Sequence, residues 1–235
     1  MRQGLVRGTS KGDQGLDETG DFALDDQAQP LPLRIGEVVP RFSGRSTLGP
    51  LDLDDYRGQW VMLFSHPADF TPVCTSEFLA FARAEQQFTD MNCALIGMSV
   101  DSLYSHLAWI RMIFDLTGEK IAFPIVEDPT MEIARAYGML GHDAQDAGTV
   151  RTAYFIDPDG ILRACTCYPP TVGRSIPEIL RLLAALQRVD RGDVLTPADW
   201  QPGDDVLHAP AETLDAALAP GNAFDWFYAS TKDTR

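Results

Sequence analysis

One cysteine stands where a reactive thiol is expected. Cys74 follows Thr71 and Pro72, which come shortly after the apolar run from Trp60 to Phe64. Threonine is a good N-cap residue and proline is tolerated at the first helical position, so this order predicts a helix that begins at Pro72. Cys74 then lies in the first turn, among amide N–H groups without helical partners and near the positive end of the helix dipole.

That position favours the thiolate form of a cysteine. A thiol with a pKa near 8.5 is only about 3% ionised at pH 7, whereas one with a pKa of about 6 is roughly 90% thiolate. The thiolate is the form that attacks an electrophile such as a peroxide oxygen. A single cysteine is more often a small buried apolar residue. Here the arrangement of strand, proline, loop and Thr-Pro-Val-Cys favours a nucleophile at Cys74.

The elements around this cysteine predict an α/β fold. Apolar runs of strand length alternate with helical periodicity in the order strand, helix, strand, helix, strand, helix, hairpin, helix. Two right-handed βαβ crossovers and one hairpin give a mixed central sheet with helices on both faces. Pro124 suggests a bulge or an edge in its strand. Strands are expected at 60–64, 94–100, 123–126, 151–156 and 161–165, with a short one at 38–42, a helical turn within 51–58, and helices at 72–90, 103–114, 131–137 and after Ser175.

Composition divides the chain into three parts. Residues 1–30 are rich in Gly, Asp, Gln and Thr and are expected to form a disordered extension. Residues 31–190 hold the α/β domain. The residue composition changes from about Arg191, so residues 191–235 are expected to form a small C-terminal domain.

Charge and cysteine content restrict the function. The chain has 19 basic and 34 acidic residues, a net charge of −15, which argues against nucleic acid and anionic membranes as partners. No apolar run approaches the ~20 residues that span a bilayer, and polar residues occupy the place of a signal peptide's apolar region. Four cysteines are no disulfide framework in a chain of this length, so we expect a cytoplasmic protein.

The segment from Pro67 to Cys74, PADFTPVC, resembles the Pro-x-x-x-Thr-x-x-Cys motif of peroxiredoxins. The wider FSHP and DFTPVCT segments are similar to the one-cysteine subfamily, and the likeness extends from about Leu33 to Leu207. It implies a thioredoxin-like fold and an antioxidant thiol peroxidase that reduces hydrogen peroxide and small alkyl hydroperoxides through a sulfenic acid. It also implies an external thiol reductant (thioredoxin, glutaredoxin or glutathione) and a homodimer or a higher ring, with 191–235 as the dimerisation domain.

The resemblance also implies roles for individual residues. Glu77 lies at i+3 from Cys74, on the same helix face, where a lone carboxylate would raise the thiol pKa unless a cation offset it. Taken alone, Arg151 and Arg174 would be expected at the surface, and His66 would be expected to have a structural role. By the resemblance, Thr71 binds peroxide oxygen, Pro67 shields the thiolate from water, Arg151 contacts thiolate and peroxide, Arg174 pairs with Glu77, and His66 lies near the pocket.

Neither a metal nor an organic cofactor is expected. His66, His106, His142 and His208 show no ligand spacing, and no Gly-x-Gly-x-x-Gly follows a predicted strand.

The other thiols leave the reductive step open. Cys93 begins a buried strand and is expected to be inert. Cys165 and Cys167 lack the C-x-x-C spacing, so a structural role is favoured, but a disulfide with Cys74 stays open. A thiol–disulfide oxidoreductase is an alternative that the missing C-x-x-C disfavours. A redox sensor or holdase-like assembly is another, and it would turn over peroxide negligibly.

Overall fold

The computed structural model describes residues 33–140, 148–192, 194–219, 221 and 224–234. The predicted disordered extension, residues 1–30, lies outside this part of the chain. The described residues belong to a single compact unit.

Seven strands form one mixed sheet. They are β1 (Ser43–Ser46), β2 (Gly49–Asp52), β3 (Trp60–Ser65), β4 (Cys93–Ser99), β5 (Ile125–Glu127), β6 (Arg151–Ile156) and β7 (Leu162–Tyr168), in the spatial order β2-β1-β5-β4-β3-β6-β7. Five of them, β3 to β7, correspond to strands that the sequence predicts. Strands β3, β4 and β5 are parallel, while β6 runs antiparallel to β3 and β7 antiparallel to β6. The prediction of an α/β fold with a mixed sheet is therefore confirmed.

Helices cover both faces of this sheet. They are α1 (Pro72–Asp90), α2 (Leu103–Thr117), α3 (Glu132–Ala136) and α4 (Ile176–Asp190). A 3-10 turn lies at Leu53–Tyr56, and a short helix without buried residues, α5 (Leu214–Ala217), lies in the C-terminal part. Side chains of β3 alternate between two cores: Met62 and Phe64 pack with α1, α2 and α4, whereas Val61 and Leu63 pack with α3. Among the helices described, none is long and apolar enough to cross a membrane.

Two local predictions are wrong. At 38–42 the structure has only an isolated bridge between Val38 and Ile161, because Pro40 lacks the N–H that a ladder requires; a β1–β2 hairpin follows instead. Pro124 marks neither a bulge nor an edge, since it precedes β5, which lies between β1 and β4 inside the sheet. Its carbonyl accepts a hydrogen bond from the Gly97 N–H at 2.9 Å.

The C-terminal part packs on α4. Buried Trp200 and Val206 contact Ala185, and Arg188 forms a buried ion pair with Asp233 at 2.8 Å. A two-stranded sheet of β8 (Asp205–Leu207) and β9 (Ser230–Lys232) completes this part. A separate domain over 191–235 stays a prediction.

Candidate functional site

Cys74 lies in the first turn of α1, where the sequence places it. The helix begins at Pro72, and Thr71 at the N-cap has extended backbone (φ −101°, ψ 149°). The Thr71 hydroxyl makes no capping hydrogen bond, however, and it donates to the Ala68 carbonyl at 2.9 Å. The sulfur-bearing residue is completely buried. The loop that joins β3 to α1, residues 66–71, therefore leads directly into the helical turn that holds this buried cysteine, at the positive end of the helix dipole.

A guanidinium contacts the sulfur. The Arg151 Nη1 atom lies 3.3 Å from the Cys74 Sγ atom and 2.7 Å from the Glu77 Oε2 atom. Its Nε and Nη2 atoms donate to the Pro170 carbonyl at 3.0 and 2.9 Å, which fixes the plane of the group. Arg151 is the first residue of β6, and β6 pairs directly with β3, so the sheet brings this arginine beneath the start of α1.

A second arginine holds the carboxylate. Arg174, in the loop between β7 and α4, donates from Nε to Glu77 Oε1 at 2.9 Å and from Nη2 to Oε2 at 2.8 Å. Its backbone N–H also donates to Oε1 at 2.8 Å. Its guanidinium carbon lies 5.1 Å from the centre of the Phe64 ring and 5.7 Å from that of Phe81, within cation–π range. Glu77 thus accepts four hydrogen bonds: two from the Arg174 guanidinium, one from the Arg174 backbone and one from Arg151.

The buried charges of this cluster balance only with an anion at the sulfur. Both arginines are buried, contrary to the general expectation for arginine, and they carry two positive charges against the single negative charge of Glu77. Burial alone would raise the pKa of Glu77, but hydrogen bonds and charge from Arg174, together with the charge of Arg151, hold it below its usual value. A Cys74 thiolate brings the sum of the four groups to zero.

Three further polar side chains meet beside the loop. Asp69 Oδ1 lies 2.9 Å from His66 Nε2, and Asp69 Oδ2 lies 2.8 Å from His106 Nδ1. All three residues are buried. Burial opposes ionisation of Asp69, but the hydrogen bonds from both imidazoles hold its pKa far below the usual value. Burial lowers the pKa of His66, although Asp69 opposes this.

His106, which stands 37 residues after Asp69, was not predicted from the sequence as a site residue. A usable signal existed: β3 and β4 are parallel neighbours, so the loop after β3 and the start of α2 meet at one edge of the sheet. The three groups could present metal-ligand atoms within 4.8 Å of one another. A metal-bound histidine normally donates its other ring N–H to a partner. Among the described residues, His66 Nδ1 and His106 Nε2 have none, so this set fits a hydrogen-bonded network better than a metal site.

The other three cysteines lie away from this cluster. Burial raises the pKa of Cys93 to about 12, which fits the expectation of an inert thiol. Cys165 and Cys167 are exposed on β7, and Cys167 pairs across the ladder with Thr152. Successive side chains of a strand point to opposite faces, so Thr152 and both β7 thiols lie on the face opposite that of Arg151. A direct disulfide from either thiol to Cys74 would have to cross the sheet.

Two family models match the chain. The AhpC/TSA family model covers residues 35–165, and the model of the C-terminal domain of 1-Cys peroxiredoxin covers residues 185–219. The chain is 50% identical over 180 residues to peroxiredoxin 2 of Caldanaerobacter subterraneus, across 77% of this chain and 81% of that protein. It is 48% identical over 194 residues to a peroxiredoxin of Aquifex aeolicus, across 82% of this chain and 87% of the relative.

Solved structures give the same likeness. A yeast mitochondrial 1-Cys peroxiredoxin, studied for thiol resolving via the glutathione and thioredoxin systems, has a TM-score of 0.77 and 38% identity, covering 86% of this chain and 100% of that one. A cysteine-to-serine mutant of the peroxiredoxin 6 of Arenicola marina has a TM-score of 0.72 and 38% identity, covering 79% of this chain and 87% of that one. Together with the mixed sheet, these likenesses bear out the thioredoxin-like fold.

Removing the buried carboxylate should cost stability in a pH-dependent way. We expect Glu77→Gln to lower the free energy of unfolding by about 3–5 kcal/mol at pH 7, because two buried guanidinium groups lose their partner. The folded-state pKa of Glu77 is lowered, so its contribution is complete above its unfolded pKa of about 4.3 and is lost as the pH falls through the folded value. Urea unfolding from pH 3 to 7 should therefore show the wild type and the variant converging at acid pH.

The exposed carboxylate Glu178, which pairs with Arg181 on α4, provides the matched control. Glu178→Gln should change stability by less than about 1 kcal/mol at pH 7. A Glu77→Gln protein as stable as this control would contradict the structural role given to the buried carboxylate.

Proposed function

This chain belongs to the peroxiredoxins of the AhpC/TSA family, which are thiol-dependent peroxidases with a thioredoxin-like fold, and we propose that its peroxide-reducing thiol is Cys74. The observation that carries the proposal is the 3.3 Å contact between Arg151 Nη1 and the Cys74 sulfur inside a buried cluster that needs one more negative charge. Family membership also favours a peroxidase over the oxidoreductase and sensor alternatives.

In the proposed reaction the Cys74 thiolate attacks one oxygen of the hydroperoxide. An S–O bond forms as the O–O bond breaks, so the sulfur is oxidised to a sulfenic acid and the departing oxygen leaves as water or an alcohol after taking a proton. Arg151 stabilises the charge on sulfur and donates to the oxygens. The Thr71 hydroxyl already donates to Ala68, so its lone pairs are the part that can accept the O–H of the peroxide. Pro67 and the rest of its loop exclude water.

Supporting roles follow from the contacts around this pair. Glu77 and Arg174 hold Arg151 in place, because the carboxylate oxygen nearest Arg151 also accepts from Arg174. His66 acts through Asp69 on the loop above the sulfur.

We further propose that an external thiol reduces the sulfenic acid. The position of Cys165 and Cys167 on the opposite sheet face disfavours either as an internal resolving thiol. In the yeast relative, thiol resolving proceeds via the glutathione and thioredoxin systems. We propose the same classes of reductant for this chain. Free cysteines are also what a reducing cytoplasm would maintain, and we propose that location.

The nucleophile is tested by two serine variants. Cys74→Ser should abolish peroxide consumption with glutathione or thioredoxin as reductant, because no other described thiol is adjacent to a guanidinium. Cys93→Ser should retain turnover close to wild type, since that thiol is buried away from the site. Loss of hydrogen peroxide is followed directly, and intact mass after one equivalent of peroxide should show one added oxygen on Cys74. Catalytic turnover by the Cys74→Ser protein would refute the assignment.

The guanidinium is tested by Arg151→Met, a change that removes the charge and keeps much of the volume. We expect the second-order rate of peroxide attack at pH 7 to fall at least about 100-fold, as for loss of a single donor to a developing anion. Stopped-flow tryptophan fluorescence measures this rate. Arg163→Met, at a half-exposed arginine of β7 that pairs with Asp157, serves as the control and should react like the wild type. Equal rates for the two variants would contradict the role of Arg151.

We propose a homodimer assembled through the C-terminal part. Exposed aromatic residues crowd this region: Phe224, Trp226, Phe227 and Tyr228. The match of residues 185–219 to the C-terminal domain of 1-Cys peroxiredoxin supports the assignment. Sedimentation velocity should give the mass of a dimer for the wild type, or a multiple of it if dimers form rings. Trp226→Ser should shift the population toward monomer, and an unchanged distribution would argue against this surface.

A further inference from the structure

The two halves of the proposed reaction place opposite demands on the loop of residues 66–71 that leads into Cys74. Peroxide attack needs the loop closed, because water exclusion and the Thr71 hydroxyl depend on its position. Reduction needs it open, because a thiol reductant, which is far larger than hydrogen peroxide, must reach a residue that has no exposed surface in this structure. Something in the protein must therefore set the balance between closed and open loop.

The loop itself is strained and needs to be held. Phe70 has a φ of +56°, in the left-handed region that a bulky side chain rarely adopts, and half of its side chain is exposed. Such a conformation persists only where the surrounding contacts impose it. At the start of the loop, the His66 N–H donates to the Met98 carbonyl, and the Thr149 hydroxyl donates to the His66 carbonyl, both at 3.0 Å.

Asp69 joins the middle of the loop to a neighbouring element by hydrogen bonds. The Asp69 N–H donates to Asp101 Oδ2 at 2.8 Å, and the Asp69 carboxylate contacts His66 and, on α2, His106. Asp69 lies one residue before strained Phe70. The carboxylate is therefore the point where the loop is joined to the neighbouring helix.

The proton positions of this set follow from its geometry. An ionised carboxylate only accepts hydrogen bonds, so His66 donates from Nε2 and His106 from Nδ1. If either imidazole were charged, its second N–H would be buried, and no described residue accepts from His66 Nδ1 or His106 Nε2. Two neutral imidazoles and one carboxylate are the arrangement that buries the fewest unpaired donors. Burial of His66 acts in the same direction.

We propose that Asp69, His66 and His106 form a clamp that holds the loop closed over Cys74 and thereby sets the relative rates of peroxide attack and thiol reduction. Asp69 and His106 are positioning residues, which act on the sulfur through the loop. The proposal rests on the assignment of Cys74 as the peroxide-reducing thiol.

His106 allows a matched pair of variants. In His106→Asn the side-chain amide can donate from nearly the place of Nδ1, so the clamp is retained, whereas His106→Leu removes the donor and keeps an apolar volume. Three rates are measured on each protein: peroxide attack on the reduced form, reduction of the sulfenic acid by glutathione, and alkylation of reduced Cys74 followed by peptide mass spectrometry.

The clamp predicts opposite effects on the two half-reactions. For His106→Leu, peroxide attack should slow by about tenfold or more, because the catalytic geometry is less often complete, while reduction and Cys74 alkylation become several-fold faster. His106→Asn should keep all three rates within about threefold of wild type. If His106→Leu leaves the rates unchanged, or slows both half-reactions, the clamp is overturned.

Two controls separate the clamp from other causes. Asp128→Asn weakens a different buried carboxylate, which accepts from the Ala134 N–H on the other side of the sheet, and should lower stability without the split in rates. If this control also showed slower peroxide attack together with faster reduction, general destabilisation and not the clamp would be what opens the loop. Chelation with EDTA should leave the wild-type rates unchanged, and a loss would mean that the three groups hold a cation.

The alkylation measurement keeps the clamp distinct from the proposed function. Should wild-type protein fail to react with peroxide, the assignment of Cys74 fails. Faster Cys74 alkylation in His106→Leu than in His106→Asn would still support the loop contact, and equal alkylation would still overturn it.

Discussion

The structure depends on the placement of two guanidinium groups in an interior that water does not reach. Burying a charge is costly unless partners neutralise and hydrogen-bond it. Arg174 obtains its partner from Glu77, and Arg151 shares the same carboxylate but keeps one N–H directed at sulfur. A neutral thiol would leave this cluster with one uncompensated positive charge. We therefore attribute the proposed reactivity of Cys74 to charge balance within the core.

Sheet topology makes this cluster possible. Cys74 and Arg151 are 77 residues apart, and Glu77 and Arg174 are 97 apart. They meet because β6 pairs with β3 while α1 begins at the end of β3. The aromatic core under α1 completes the arrangement, since Phe64 and Phe81 lie against the guanidinium of Arg174. The same packing that stabilises the domain thus positions its charges.

Features set by short-range rules could be predicted from the sequence. The start of α1 at Pro72 and the hairpin between β6 and β7 follow from proline and turn chemistry. The arginines could not be placed this way, because a local pattern cannot tell a buried arginine from an exposed one; only the family resemblance selected them. His106 was missed because its partner comes from another element, and Thr71 was predicted to cap a helix although its hydroxyl bonds within the loop.

The most direct test of the account is the ionisation state of the Cys74 sulfur in the folded protein. The difference in ultraviolet thiolate absorbance between wild type and Cys74→Ser, recorded from pH 4 to 10, isolates that single group. Charge balance predicts that the thiolate signal is already present at neutral pH. A signal that appears only above about pH 8, as for a free cysteine, would contradict it.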